Sequence, residues 1–360
     1  MTSYQYKTPN EILESIARTG YCVAAANPAE YQELKKQLRN CVSYSSLKRF
    51  AQSPYLYKWK LDRGEDEPTQ AMRIGSAADC LALTPEYYEA RYRIVERVAA
   101  STNAAAALEL MKKGLEVTPE RKQVRLKTNG EPYANGEQDP AQKAAWEARR
   151  ARGETIFTPE DVAEACQILE DKRNSVTRIT ETENTTAVQI AKAVAAALKH
   201  YGLDAAQKQV AVWCRLDHIG KVKLSQPVTL CGMADLWDAE RNKIVDLKTS
   251  ALNIFRARKL AFSMDDLGYN LQAGVYALLY KVATGRQLDE FSDLFVSTAE
   301  PHFDRLMVMD RQAVSEVETQ VMDLLVQLDK CAAANNFGTP HLDSADYLLE
   351  KTKTTAIYEI

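Results

Sequence analysis

Apolar residues recur at two different periods along this chain, and the change comes near residue 208. Before it the period is helical. Pro9–Thr19 and Pro28–Arg39 read as short helices, the second with Asn27 as cap and Pro28 in its first turn. Leu47, Phe50 and Ala51 predict a third helix from about Ser45, interrupted at Ser53-Pro54. An acidic turn, Glu65-Asp66-Glu67-Pro68, leads to an amphipathic stretch from Ala71 to Leu83 that stops at Thr84-Pro85. Thr158-Pro159-Glu160-Asp161 carries the cap, proline and acids of a helix start, and helices follow over about 160–174 and 184–200. From Lys208 the period is two. In Gln209–Leu216, Val210, Val212 and Cys214 fall on one side and Ala211, Trp213 and Arg215 on the other. Val228–Asp238 and Lys243–Ser250 form a predicted hairpin around Ala239–Asn242. A helix over Asn270–Tyr280, strands at Phe291–Ser297 and His302–Met309, and a long helix over Arg311–Ala334 complete the order. Strands bracketed by helices predict an α/β or α+β fold with a mixed sheet.

Composition narrows the classes. At 360 residues the chain has room for about two domains. Hydrophobic residues at 46% and charged ones at 26% are globular values and exclude a disordered chain. The longest apolar runs fall far short of the roughly 18 residues of a membrane span. Met1–Asn10 has no secretory pattern. The seven cysteines are odd in number and widely spaced, so reduced thiols in a cytoplasm are expected, with no disulfide framework or CxxC knuckle. A net charge of −3 means that any polyanion must meet a local basic patch. One candidate is the excursion over about 112–153, with Arg121, Lys122, Arg125, Lys127, Arg149, Arg150 and Arg152; as a charge run it reads equally as a solvated, mobile loop.

The hairpin carries the chemistry. A four-residue loop at 239–242 sets Asp238 opposite Lys243 and hence Asp235 directly opposite Asp246. Strand alternation puts Lys248 on the same face as Asp246. Like charges across a strand pair are destabilising, so two carboxylates there point to a bound cation, with oxygen ligands selecting a hard ion such as Mg²⁺. Lys248 beside it would orient or activate water, or stabilise charge developing on phosphorus. The plainer reading is an exposed hairpin in which Lys248 pairs with Asp246, and Asp-x-Lys is a common tripeptide.

These residues gain meaning from a resemblance. GMADLWDAERNKIVDLKTS (Gly232–Ser250) resembles the D…(D/E)xK signature of the PD-(D/E)XK nuclease superfamily. Gln272 and Tyr276 in YNLQAGVYALLY match the QxxxY helix of its RecB-like branch. Ser43–Leu61, Met72–Tyr92 and Phe295–Met309 are similar to segments of exonuclease VIII (RecE)-type nucleases of phages and prophages, in the same order. The resemblance implies a restriction-endonuclease-like core, a central mixed sheet flanked by helices, over 43–334. A helical N-terminal extension over 1–42, the basic insertion and a tail over 335–360 would complete it.

By the same resemblance Asp235, Asp246, Asp79 and the Leu247 carbonyl would hold one or two Mg²⁺, or Mn²⁺, ions. Lys248 would help activate the water that attacks phosphorus, Gln272 would contact the site or the scissile strand, and Tyr276 would support it. The substrate would be a double-stranded DNA end, digested 5′ to 3′ in a bacterial or phage-infected cytoplasm to leave a single strand for an annealing protein. The enzyme would form a homo-oligomeric ring. Two departures stand out. Asp79 occupies the place of a family histidine ligand, either keeping the role as an oxygen donor or marking a weakened site. Gln209 stands where a glutamate is frequent. A catalytically weakened DNA-binding module and a structure-specific endonuclease therefore remain alternatives. An iron–sulfur cluster is not expected, because only Cys331 lies beyond Cys231. Lys48, Arg49, Lys58 and Lys60 are further candidate phosphate contacts, and Tyr55, Tyr57 and Trp59 between or beside them could stack on a base, although core packing explains them as well.

Overall fold

In the computed structural model the described residues are 4–25, 27–38, 40–64, 67–114, 157, 159–252 and 254–339. The chain divides into two compact units, Met1–Tyr88 with Glu183–Ile360, and Glu89–Thr182.

The first unit opens with α1 (Pro9–Thr19), β1 (Tyr21–Ala25), α2 (Pro28–Gln37), β2 (Cys41–Ser43), α3 (Tyr44–Gln52), α4 (Pro54–Arg63) and α5 (Gln70–Leu83). Local signals fix these boundaries. Thr8 and Glu11 form a reciprocal capping box at α1, and Gly20 closes it in the left-handed conformation that glycine adopts without strain. Asn27 caps α2 through the Ala29 amide at 2.9 Å. Ser53-Pro54 ends α3 as expected and at once begins α4, where the Ser53 hydroxyl accepts from Leu56 N. The first forty-two residues are thus not only helical: β1 lies between the two expected helices and enters the main sheet.

The second unit holds most of α6 (Tyr88–Arg91), then β3 (Tyr92–Val95), α7 (Thr102–Lys112), α8 (Pro159–Arg173) and β4 (Thr177–Thr180). β3 and β4 pair in parallel, and Ala107, Leu108, Ala165 and Ile168 form its core. Buried Asp171 takes Arg93 Nε at 2.9 Å. Most of the basic excursion, including all seven arginines and lysines named above between 121 and 152, lies outside the described residues, as does Thr158.

After α9 (Glu181–His200) the first unit resumes with β5 (Gln207–Ile219), β6 (Val222–Asp238), β7 (Lys243–Ser250), α10 (Ala257–Asp266), α11 (Tyr269–Thr284), β8 (Glu290–Ser297), β9 (Asp304–Asp310) and α12 (Arg311–Ala333). The seven-stranded sheet runs β1-β5-β6-β7-β8-β9, with β2 added to β6. Pairing is antiparallel except for β7–β8 and β2–β6. The predicted alternation holds. Val210, Val212 and Cys214 face the core shared with α3, α11 and α12, while Ala211 and Trp213 pack beneath α1 and α2 with Ile12, Ile16, Tyr31 and Leu34. All seven cysteines are free thiols. No helix among the described residues is long and apolar enough to cross a membrane.

Two glycines let α11 lie close to its neighbours. A Cβ at Gly232 of β6 would meet Leu279 Cδ1 and Tyr276 Cε1 at 2.9 Å, and one at Gly274 would meet the Val317 carbonyl oxygen at 2.6 Å. Alanine normally favours a helix interior by about 1 kcal/mol over glycine, but here it would push on α12 backbone. Overpacking costs typically about 1–3 kcal/mol, so Gly274→Ala is expected to lower stability in denaturant unfolding, against its helix propensity. A rise in stability would show that the two helices separate freely.

Candidate active site

β6 meets two different strands along one edge. β2 pairs with it up to Ser43↔Cys231, and β7 begins at Leu236↔Val245, leaving residues 232–235 between them. The site forms at this gap. The expected hairpin register is present at Asp238↔Lys243, Trp237↔Ile244 and Leu236↔Val245, but the ladder stops one step short of the two carboxylates. Asp235 is therefore not paired across from Asp246. Its Oδ2 instead accepts from Leu247 N at 2.8 Å, and the strand edge is completed by a side chain rather than by a second charged residue facing it. Tyr276 of α11 serves the same gap, its hydroxyl donating to the Met233 carbonyl at 2.5 Å.

Asp246, Lys248 and Gln272 form a closed triangle. Lys248 Nζ lies 2.5 Å from Asp246 Oδ2 and donates to Gln272 Oε1 at 2.7 Å, and Gln272 Nε2 donates to Asp246 Oδ1 at 2.5 Å. The i, i+4 spacing of Gln272 and Tyr276 thus puts one on the charged pair and the other on β6. Burial alone would depress the Lys248 ammonium, but Asp246 and Asp293 together lift it above its ordinary value. It is a cation at neutral pH, and its Nζ also lies 4.4 Å from the Tyr269 ring centroid. Lys48 of α3 reaches the same ring from 5.9 Å, so of the candidate phosphate contacts this one is brought to the site. Burial and the Lys248 charge hold the Lys48 ammonium below its usual value.

Gln209 is the departure whose consequence is clearest. Its backbone is left-handed, with φ of 49° inside a strand, and the β5–β6 register runs Lys208↔Leu236 and Val210↔Ala234 with no pair at 209 and 235. Such a conformation costs of order 1–3 kcal/mol for a residue other than glycine. The buried side chain donates Nε2 to Asp235 Oδ1 at 2.8 Å. An ionised glutamate could not make that bond. Both Asp235 oxygens consequently accept from N–H groups, which favours the anion, while burial and Asp246 raise its pKa overall.

Asp293 has no counterpart in the sequence reading. β7 and β8 run parallel with Asp246 in register with Asp293, so the two carboxylates share a face. Asp293 is 1% exposed and neither oxygen has a hydrogen-bond partner. Its signal was an acid in the middle of an apolar strand, Phe291–Val296, where only a functional or paired group is tolerated.

Asp79 is half-buried on α5. Gly75, one turn earlier, packs so tightly on Thr249 of β7 that a Cβ there would collide with Oγ1, and Asp79 shares that helical face. Arg49 is half-buried on α3. Lys58 pairs with Asp62 at 2.6 Å, while Lys60 and Arg63 cover the Trp59 ring. Tyr57 packs edge-on against Phe50, in the core rather than on a binding face.

The donor chemistry suits a hard divalent cation: carboxylate oxygens are concentrated at the end of the β6–β7 ladder, and those of Asp293 are buried without partners. Among the described residues, however, no three histidine, cysteine, aspartate or glutamate side chains converge on one point as ion ligands. Asp246 is drawn onto Lys248 and Gln272, and Asp235 onto Gln209 and Leu247 N.

The Asp293 carboxyl is held well above the ordinary carboxylate range by burial, with Lys248 opposing and Asp246 adding to the rise. In the unfolded chain it would titrate near pH ~4. Between that value and the folded one the folded chain keeps a proton that the unfolded chain has lost, so stability falls as pH rises through this window. Asn cannot ionise. In EDTA, the melting temperature of Asp293→Asn relative to the parent is expected to rise between about pH 5 and pH 8. A constant difference would mean that Asp293 is ionised throughout.

Among curated proteins none matches. Of solved structures, a candidate exonuclease from Eubacterium rectale is similar over 92% of this chain and 98% of its own, at 14% identity and a TM-score of 0.44. A phage-related exonuclease from Haemophilus somnus 129PT is similar over 66% of this chain and 97% of its own, at 14% identity and a TM-score of 0.27. Residues 41–341, which span β2 to β9, the QxxxY helix and α5, match the PD-(D/E)XK nuclease superfamily, and the chain belongs to it.

Proposed function

We propose that this nuclease is a metal-dependent exodeoxyribonuclease of the exonuclease VIII type, degrading duplex ends in the 5′ to 3′ direction to leave single strands for recombination. The observation that carries the reading is the triangle of Asp246, Lys248 and Gln272 set beside Asp235 at the gap in the β6 edge. A surface salt bridge would not need a buried amide bridging both of its members. The arrangement holds an ammonium at a fixed point next to clustered carboxylates, which is what a phosphodiester site requires.

Asp235 and Asp246, with Asp79 and the Leu247 carbonyl, are the ligands we assign to Mg²⁺ or Mn²⁺, which when bound would polarise the phosphoryl group and acidify water. Lys248 acts as a donor. Being protonated, it has no lone pair with which to take a proton from water, so its part is to orient the nucleophile or to neutralise charge developing on the phosphoryl oxygens. Gln272 positions Lys248 and Asp246 together, and Tyr276 ties α11 to β6 so that Gln272 keeps its place. Lys48 adds positive charge on the same side of the site, suited to a phosphate of the bound strand. We further propose assembly of several copies around DNA and hand-over of the product strand to an annealing protein.

Incubation of linear and covalently closed duplex DNA with Mg²⁺ tests the reading. Loss of linear DNA alone is expected, with Asp246→Ala and Lys248→Ala each slowing it by about 10²–10³-fold or more. End-labelled duplexes would report the polarity. Cutting of closed circles would make the protein an endonuclease, and duplex binding without cutting in Mg²⁺ or Mn²⁺ would make it a binding module.

A further inference from the structure

Two residues beyond Lys248, β7 ends at Ser250, and the chain turns outward through a segment with an unusual charge pattern. From Leu247 to Met264 there is no acid, while Lys248, Arg256, Arg258 and Lys259 are cations, in a protein whose net charge is −3. Arg256, Arg258 and Lys259 are exposed. Between them and the strand stands Phe255, 63% exposed, with its ring against that of Phe303 at 4.9 Å and 72°. Phe303 is itself 50% exposed.

The pair is anchored through its neighbours. Ile254, the residue before Phe255, is buried with Leu260, Met264, Phe295 and Met307. Arg305 donates Nη2 to the Phe255 carbonyl at 3.4 Å, and Ser297 N donates to the Phe303 carbonyl at 2.8 Å. Ser297 is in register with Ser250, so the Phe303 backbone is tied to the strand end two residues, about 7 Å of strand, beyond Lys248. Glu300 and Asp304 are the acids of the facing turn, and neither lies in the Leu247–Met264 run. Large apolar rings held in water at a fixed place mark a surface with a partner. Cations around them select a partner that is both anionic and flat-faced, and a nucleic-acid strand offers phosphates and bases at the same spacing.

We propose that Phe255 and Phe303 form a seat on which the terminal base of a DNA strand stacks, with Arg256 and Arg258 holding the adjoining phosphates. The inference rests on the nuclease reading and specifies its substrate: a frayed end rather than an intact duplex. The strand would pass from this seat toward the Asp246–Lys248 pair.

A short duplex carrying fluorescein and a terminal, unpaired 2-aminopurine tests it in EDTA, where no cutting intervenes. On binding the parent, 2-aminopurine fluorescence is expected to be quenched. Phe255→Ala/Phe303→Ala should lose the quenching and weaken binding by about 5- to 150-fold, the range that base–aromatic stacking covers. Arg256→Ala/Arg258→Ala should keep the quenching and reduce the salt slope of the affinity by about 2. All four side chains are exposed or at the surface, and far-ultraviolet circular dichroism verifies the fold. Unchanged affinity and quenching in the phenylalanine variant, while the parent binds and cuts linear DNA, would overturn the seat and leave the nuclease reading standing. A parent that neither binds nor cuts would overturn both. A phenylalanine variant that binds DNA normally but changes its mass in light scattering would assign the surface to a second copy of the chain instead.

Discussion

A buried ammonium is what allows three aspartates to occupy one patch of this sheet. Asp246 and Asp293 lie buried side by side on parallel strands, and half-buried Asp235 approaches from the neighbouring one. Carboxylates so placed repel one another and resist ionisation. Lys248 offsets that on the Asp246 side, and in return the acids keep it charged despite burial. Removing one member of such a buried pair typically costs about 3–5 kcal/mol, so the site is also a constraint on the fold around it. α11 has to lie close enough for Gln272 to bridge the pair, which is why glycine is needed where the helix meets β6 and where it meets α12.

The two periods of the sequence, 3.6 and 2, were sufficient to read the long strands, the hairpin and the helices that cover them. Each buries a continuous stripe, and Val210, Val212 and Cys214 face the core that their alternation implies. Short elements were not legible. β1, β2, β3 and β4 have five residues or fewer, too few for a period to show, and they are strands only because partners distant in sequence offer an edge.

At the site, strand spacing puts Asp246 and Lys248 on one face, but it was the resemblance to the nuclease family that singled out these two together with Gln272 and Tyr276 on their helix. The direct Asp235–Asp246 pairing failed for a reason that spacing cannot contain: the ladder ends where a side-chain oxygen takes over the Leu247 amide. Gln209 was visible only as a departure from a family pattern. Its left-handed backbone and its bond to Asp235 depend on an irregularity between β5 and β6 that leaves no trace in hydrophobic order. Asp293 became legible once β8 was known to lie beside β7, which is a matter of topology.

The gap along β6 has a kinetic consequence. Its two sides are built by β2, near the start of the chain, and β7, about two hundred residues later, and α11 must then arrive to serve the exposed Met233 carbonyl. Contacts between such distant segments form late, because the loop between them must be ordered first. A nascent chain released only as far as β7 contains every charged group of the hairpin yet has no place for them to meet. Nuclease capability would thus emerge in a single step near the end of folding, so partly folded chains would be inert toward any DNA they meet.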